Sequence, residues 1–249
     1  MILGKLDLIG SRHNQTLQFT GSDTKQLFNL NKRKDWFFND YDISYSYNDL
    51  GHRCKDINNI DLSNYIMFTG CSNTEGIGLK LEHTYPYLVS KKLSCDYYNL
   101  AIGSTGLDVL EYNLLTWLQK VDSKPKLVII QWPDHSRFLS KNPNYESFIP
   151  FGRWSASSTT IGKFSTYTIG RFIVNSETSL HNLARKALTE NILFQLIAGI
   201  PVITLQQSNL QYYHDKTLFW PNGDLARDLI HPGIKSHEYI ANLILENIR

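Results

Sequence analysis

The chain has 249 residues, with 25 Lys+Arg against 23 Asp+Glu, a formal net charge of +2, and 42% hydrophobic and 12% aromatic residues. That apolar share excludes an intrinsically disordered chain, and near-balanced charge without a long basic run excludes the electrostatic footprint of a nucleic-acid binder. The length suits one large domain, or one domain with an appendage.

Other classes drop out on local grounds. No segment approaches the roughly 18 consecutive apolar residues of a membrane span. The stretch Met1 to Gly10 is too short and too interrupted for a secretory signal. The three cysteines, Cys54, Cys71 and Cys95, fit neither a disulfide framework nor a zinc motif. No Gly-rich phosphate loop is present, and His135 has no ligand cluster around it, so neither an organic cofactor nor a metal is expected. Three unpaired cysteines and the missing signal lead us to expect a reducing interior, or a particle released by lysis.

Residues 1–60 are polar and irregular, with a charge cluster at Asn31 to Asp35 and a Tyr-rich stretch at Tyr41 to Tyr47. They read as an N-terminal arm with one or two short strands. Residues 61–249 read as one α/β domain. Tyr65 to Thr69 is a short apolar run of β-formers, and so predicts a buried strand. His83 to Leu93 has helical spacing. Tyr97 to Ile102 predicts a second strand, and Thr105 to Leu118 a helix with Leu107, Leu110, Leu114 and Leu118 on one face. Lys126 to Trp132 is the clearest buried strand, ended by Pro133. Ser179 to Ala198 predicts a long amphipathic helix, Pro201 to Leu205 a fourth strand, and Ile234 to Ile248 a last helix. Strands alternating with helices predict a mostly parallel sheet covered on both faces, in a three-layer, flavodoxin-like arrangement. Ligands of such sheets bind beyond the carboxyl ends of the strands, so chemistry is sought there.

Three motifs sit at those ends. After the first strand comes Gly70-Cys71-Ser72-Asn73-Thr74-Glu75-Gly76. Ser72-x-x-Glu75 fits a capping box, with Ser capping a helix and Glu reaching back. A Ser at a tight strand-to-helix turn also fits an exposed nucleophile whose own N–H helps hold an oxyanion, and the two readings are compatible. Before the last helix comes Asp228-Leu-Ile-His231-Pro232. A His with a carboxylate three residues away can serve as base and orienter for a serine hydroxyl; a surface Asp and a solvated His are the plain alternative. After the second strand, Asn99 to Gly103 ends in a glycine that can offer a backbone N–H to a ligand oxygen. His237 reads as a solvated helical histidine. Asp224 lacks the three-residue spacing to His231.

Taken together, these blocks resemble the SGNH (GDSL-like) hydrolase family. Gly70 to Gly76 is similar to the family's first block, Asn99 to Gly103 to its second, and Asp228, His231 and Pro232 to its last. The upstream stretch Asp35-Trp36 through Tyr45-x-x-Asn48-x-x-Gly51-x-Arg53 resembles the preamble of a Gly-Cys-Ser branch found in bacteriophages and marine bacteria. The resemblance implies a serine esterase acting on a small acyl ester, with an acetyl group on a carbohydrate as the expected substrate. It implies Ser72 as nucleophile, His231 as base and Asp228 as its orienter, with the N–H groups of Ser72 and Gly103 as oxyanion donors. Cys71, in the place of the usual Asp, is the alternative nucleophile, but the resemblance aligns Ser72 with the base. The family's third block supplies an Asn amide; here the third strand ends Gln131-Trp132-Pro133-Asp134, which leaves Gln131 as the candidate replacement. Trp132 and Trp154 are candidate substrate-binding residues, the latter within the aromatic-studded insertion Pro143 to Phe172. That insertion fits a satellite packing cluster or a subunit interface, and as the alternative a lid or wall over the site whose aromatic faces stack on a sugar. Arg137 and Arg153 fit solvated charges, with binding of an acidic substrate group as the alternative. The expected partners are a small ester or acylated glycan, and a second copy or a virion assembly, with no nucleic acid or membrane. A cytoplasmic protein and a component of a phage particle both fit. The alternatives in function are a catalytically degenerate carbohydrate-binding or virion module, and acyl transfer to a sugar in place of water.

Overall fold

The computed structural model describes residues 8–134, 137–141, 148–151, 199–207, 217–220 and 223–248. The expected helix at 179–198 and most of the aromatic insertion, Arg153 and Trp154 included, lie outside these. Two-residue strands β1 (Thr16–Leu17) and β2 (Tyr45–Ser46) pair antiparallel. Between them helix α1 (Lys25–Asn31) is capped by Thr24, whose hydroxyl accepts the Leu27 N–H. Then follow β3 (Tyr65–Thr69), α2 (Ser72–Glu75), α3 (Tyr85–Lys92), β4 (Asp96–Asn99), α4 (Leu107–Lys120) and β5 (Leu127–Gln131). A hairpin, β6 (Phe138–Lys141) with β7 (Phe148–Phe151), precedes β8 (Val202–Gln207), β9 (Thr217–Trp220) and α5 (Ile234–Asn247).

The sheet order is β4-β3-β5-β8-β9, and every neighbouring pair is parallel. Strand alternation sorts the core into two layers. Tyr65, Met67, Val128 and Ile130 face one way and pack with Leu107, Leu110, Leu114 and Trp117 of α4. Ile66, Phe68, Ile129 and Leu205 face the other and pack with Tyr85 and Val89 of α3 and Ile240 and Ile244 of α5. This is the three-layer α/β arrangement that the alternation of elements predicts.

Some boundaries differ from expectation. The second strand stops at Asn99 instead of Ile102, because the Asn99 side chain accepts the Ala101 N–H and donates to Thr74 O, turning the chain. The first long helix begins at Tyr85, after a separate 3-10 turn at Leu81–His83, with Pro86 in its first turn. Strand β9 has no counterpart among the sequence-based expectations.

A third cluster ties the first sixty residues to the site end of the sheet. Phe38, Tyr41, Ile43, Tyr45 and Tyr47 pack against Ile77 and Leu79 after α2, and against Ala226 before α5. A buried ion pair lies beside it. Arg227 donates to Asp23 through Nε (3.0 Å) and Nη2 (2.6 Å), and also to the carbonyls of Gln18 and Tyr41. The two side chains are 4% and 1% exposed. Removing one member of such a pair strands a buried charge and costs about 3–5 kcal/mol, whereas replacing both by apolar groups of like volume costs far less. Asp23→Ala is therefore expected to lower the unfolding free energy by about 3–5 kcal/mol. Asp23→Leu/Arg227→Met should lose clearly less. Urea denaturation of the three proteins checks both statements.

Candidate active site

The β3 strand delivers the chain to the sheet's carboxyl edge, where Gly70 and Cys71 lead into the single turn of α2. Cys71 is the N-cap and Ser72 the first helical residue. Gly76, at φ 81, ends the turn in the left-handed region. Arg53 satisfies the carbonyls this turn leaves open: Nη1 donates to Glu75 O and Gly76 O, and Nη2 to Leu79 O, at 2.6–3.0 Å. Its guanidinium also lies over the Tyr45 ring, 4.4 Å from the centroid.

The second segment arrives from the far end of the chain. Residues 223–233 fold into a tight loop before α5, in which Asp224 accepts the N–H groups of Lys235 and Ser236. Asp224 is thus a helix-capping carboxylate. The two segments come together at Gly78. Its φ is 83°, and a Cβ there would stand 2.6 Å from that of Ala226, so only glycine allows this approach.

At the junction, His231 Nε2 is 2.7 Å from Ser72 Oγ, and His231 Nδ1 is 2.5 Å from Asp228 Oδ2. Asp228 Oδ1 accepts the backbone N–H groups of Ile230 and His231. With the imidazole proton on Nδ1, facing the carboxylate, Nε2 is left to accept the Ser72 hydroxyl proton. Burial alone pushes the Asp228 carboxyl up, but the hydrogen bond and charge of His231 and the Ser22 hydroxyl outweigh it and hold it at about 2.

Ser22 is the residue that sequence reasoning missed. Its hydroxyl donates to Asp228 Oδ2 at 2.6 Å and lies 3.3 Å from His231 Nδ1. No local motif marks it, since 206 positions separate it from Asp228. The Tyr45–Arg53 stretch proves to be scaffold: Tyr45 accepts the Gly78 N–H and donates to Asp23, and Asn48 holds the backbone of Leu50 and His52.

Several expectations need correction. Glu75 does not reach back to close a capping box. Its carboxylate accepts the Tyr47 hydroxyl at 2.6 Å and, through a short bond, the Gly103 N–H. The Gly103 N–H is therefore already committed and not held open for an oxyanion. Gln131 is turned inward: its Oε1 faces the Cys71 N–H and thiol, and its amide donates to Trp132 O, so it offers no donor to the site. Trp132 is buried, 3% exposed, with Val128 and Ile130 on the α4 side of the sheet, and so is a core residue. Cys71 is buried with its thiol on Gln131, away from His231. His237 is buried, not solvated: it accepts the Tyr85 N–H and stacks on that ring, and burial pushes it down to about 3. Among the described residues no group of His, Cys, Asp and Glu could hold a metal ion, and no helix is long and apolar enough to cross a membrane.

Ser72 and His231 open onto a cavity of about 410 Å3. Ile77 and Ile230 give it apolar wall, Arg12 and Arg137 bring charge to its border, and Thr20 and Ser22 of the arm complete one side.

No protein-family model matches the chain, and no curated protein matches it. Among solved structures it is similar to an acetyl xylan esterase (Est2A) from the rumen bacterium Butyrivibrio proteoclasticus, at 16% identity and a TM-score of 0.48, over 75% of this chain and 63% of that one. It is similar also to a carbohydrate esterase family 2 enzyme with a carbohydrate binding domain from Corynascus thermopiles (Myceliophthora fergusii), at 12% identity and 0.48, over 74% and 65% of the two chains. A third is the psychrotrophic esterase EstA from Pseudoalteromonas sp., at 12% identity and 0.41, over 74% and 96%. The chain thus spans less than two thirds of the length of the first two.

Because the folded carboxyl of Asp228 sits below its ordinary value of 3.8, its contribution to stability is full above pH 4 and is lost as pH falls toward about 2. In acid titrations followed by circular dichroism, Asp228→Asn should show a shallower loss of stability across that window than wild type. Ser22→Ala should preserve the fold and lower the rate of any Ser72-dependent reaction by roughly tenfold, through looser orientation of Asp228 and His231; steady-state kinetics give the measurement.

Proposed function

We propose that the chain is a serine esterase of the SGNH type that hydrolyses a small acyl ester. The observation that carries this reading is the unbroken line Ser72 Oγ, His231 Nε2, His231 Nδ1, Asp228 Oδ2, with steps of 2.7 Å and 2.5 Å. A serine hydroxyl is a poor nucleophile until a positioned base takes its proton, and a buried carboxylate stabilises the imidazolium that results.

The steps follow from the positions. Ser72 Oγ attacks the acyl carbonyl as His231 Nε2 takes its proton. Negative charge gathers on the carbonyl oxygen beside the Ser72 N–H, which has no acceptor among the described residues. His231 then returns the proton to the departing alkoxide, leaving an acyl-Ser72 ester. Water, deprotonated by the same imidazole, releases the acid and restores the hydroxyl. Asp228 keeps its charge throughout, which its position well below the ordinary carboxylate range favours.

A cavity of about 410 Å3 suits a small acyl group with part of its alcohol. The acetyl group and the carbohydrate rest on the family resemblance of the sequence blocks. In this reading residues 1–60 are an arm on the 61–249 domain that belongs to the site, because Thr20 and Ser22 border the cavity. The second reading, a carbohydrate-binding or structural module with an idle site, is favoured by one observation: no side-chain amide stands free at the end of β5, where Pro133 follows an inward-turned Gln131.

Hydrolysis of 4-nitrophenyl acetate decides between them. Ser72→Ala and His231→Ala are each expected to lower kcat by at least about 10⁴-fold. A fluorophosphonate should label wild type at Ser72 and leave Ser72→Ala unlabelled. A folded wild type no faster than Ser72→Ala, and unlabelled, sinks the esterase reading.

A further inference from the structure

An ester hydrolase of this kind needs more than one hydrogen-bond donor where the oxyanion forms. Three expected sources are closed in this chain. The Gly103 N–H is bound by Glu75, the Gln131 amide is turned to Trp132 O, and Pro133 stands where an Asn would be.

The turn after Ala101 offers another. Both the N–H and the hydroxyl of Thr105 go to Ile102 O, which closes a four-residue turn with Gly103 and Ser104 in its middle. Ser104 has φ 66, the left-handed region. The third position of such a turn favours Gly or Asn, so a serine there keeps its side chain against a backbone preference. The residue before it lies against the nucleophile: a Cβ on Gly103 would stand 3.6 Å from that of Ser72. Ser104 borders the same cavity as Ser72 and His231.

Two of the other hydroxyls on that border are already occupied: Ser22 donates to Asp228 and Ser72 faces His231. Thr20 Oγ1 is buried without a hydrogen-bond partner among the described residues, but it belongs to the arm and not to the turn that lies against Ser72. Ser104 has no hydrogen-bond partner among the described residues.

We propose that the Ser104 hydroxyl is an oxyanion donor of this site, standing in for the side-chain amide that the chain lacks. It donates its O–H to the substrate carbonyl oxygen as charge builds there, alongside the Ser72 N–H, and no proton is transferred. Glu75 has a matching task as a positioning residue. By holding the Gly103 N–H, it fixes the turn that presents Ser104. This assignment rests on the esterase reading above.

The test is steady-state hydrolysis of 4-nitrophenyl acetate by wild type, Ser72→Ala, Ser104→Ala and Ser104→Gly. Both Ser104 variants should lose about 10²-fold in kcat, with KM changed by less than about threefold, because the lost bond is made in the transition state. Ser104→Gly also removes the strained side chain, so a loss shared with Ser104→Ala belongs to the hydroxyl and not to the backbone. A Ser104→Ala enzyme within twofold of an active, Ser72-dependent wild type overturns the assignment and leaves the esterase reading standing. A loss in Ser104→Ala that Ser104→Gly restores also overturns it. A folded wild type no faster than Ser72→Ala, and unlabelled by the fluorophosphonate, overturns both.

Discussion

Parallel pairing of β4, β3, β5, β8 and β9 sends all five carboxyl ends to one edge of the sheet. Segments that follow different strands must therefore turn over in the same place, whatever their distance in sequence. The turn after β3 brings Ser72, the turn after β4 brings Gly103 and Ser104, and the loop after β9 brings Asp228 and His231. An antiparallel sheet built from the same runs would put half of these groups at the opposite end.

Direction alone does not set a distance of 2.7 Å between Ser72 and His231. The polar groups of the first sixty residues do that. Asp23 holds Arg227, one residue before Asp228, while Arg53 holds the carbonyls of the turn that carries Ser72. Tyr45 joins the two systems, accepting the Gly78 N–H and donating to Asp23. Buried charges of this kind contribute little net stability beside well-packed apolar groups, but they tolerate few alternative geometries. Their place here, behind the segments that carry Ser72 and His231, fits a role in geometry more than in stability.

Legibility followed range. Ser72, Asp228 and His231 stood out because each lies in a short local block at the end of an expected strand or before an expected helix. The strands and helices read well where periodicity was strong, as in β3, β5 and α4. Strand β9 did not, being only four residues long and lacking a clear pattern. Trp132 was misread although its parity was visible: it follows Val128 and Ile130 on alternate positions, which places it on the α4 face. Gln131 and the Gly103 N–H were misread for another reason. Their partners, Cys71 and Glu75, come from other turns, and nothing local announces which donor is already bound.

By itself, then, the amino-acid sequence determined the alternation of elements, the sheet they build and the blocks that carry Ser72, Asp228 and His231. These depend on side-chain type and on periods of two or 3.6 residues, which are local quantities. Tertiary structure alone decided which hydroxyl supports Asp228, which carboxylate binds the Gly103 N–H and which way Gln131 and Trp132 face. Each of those is a contact between segments 28 to 206 residues apart or a choice of sheet face, and a contact of that range exists only once the chain has closed on itself.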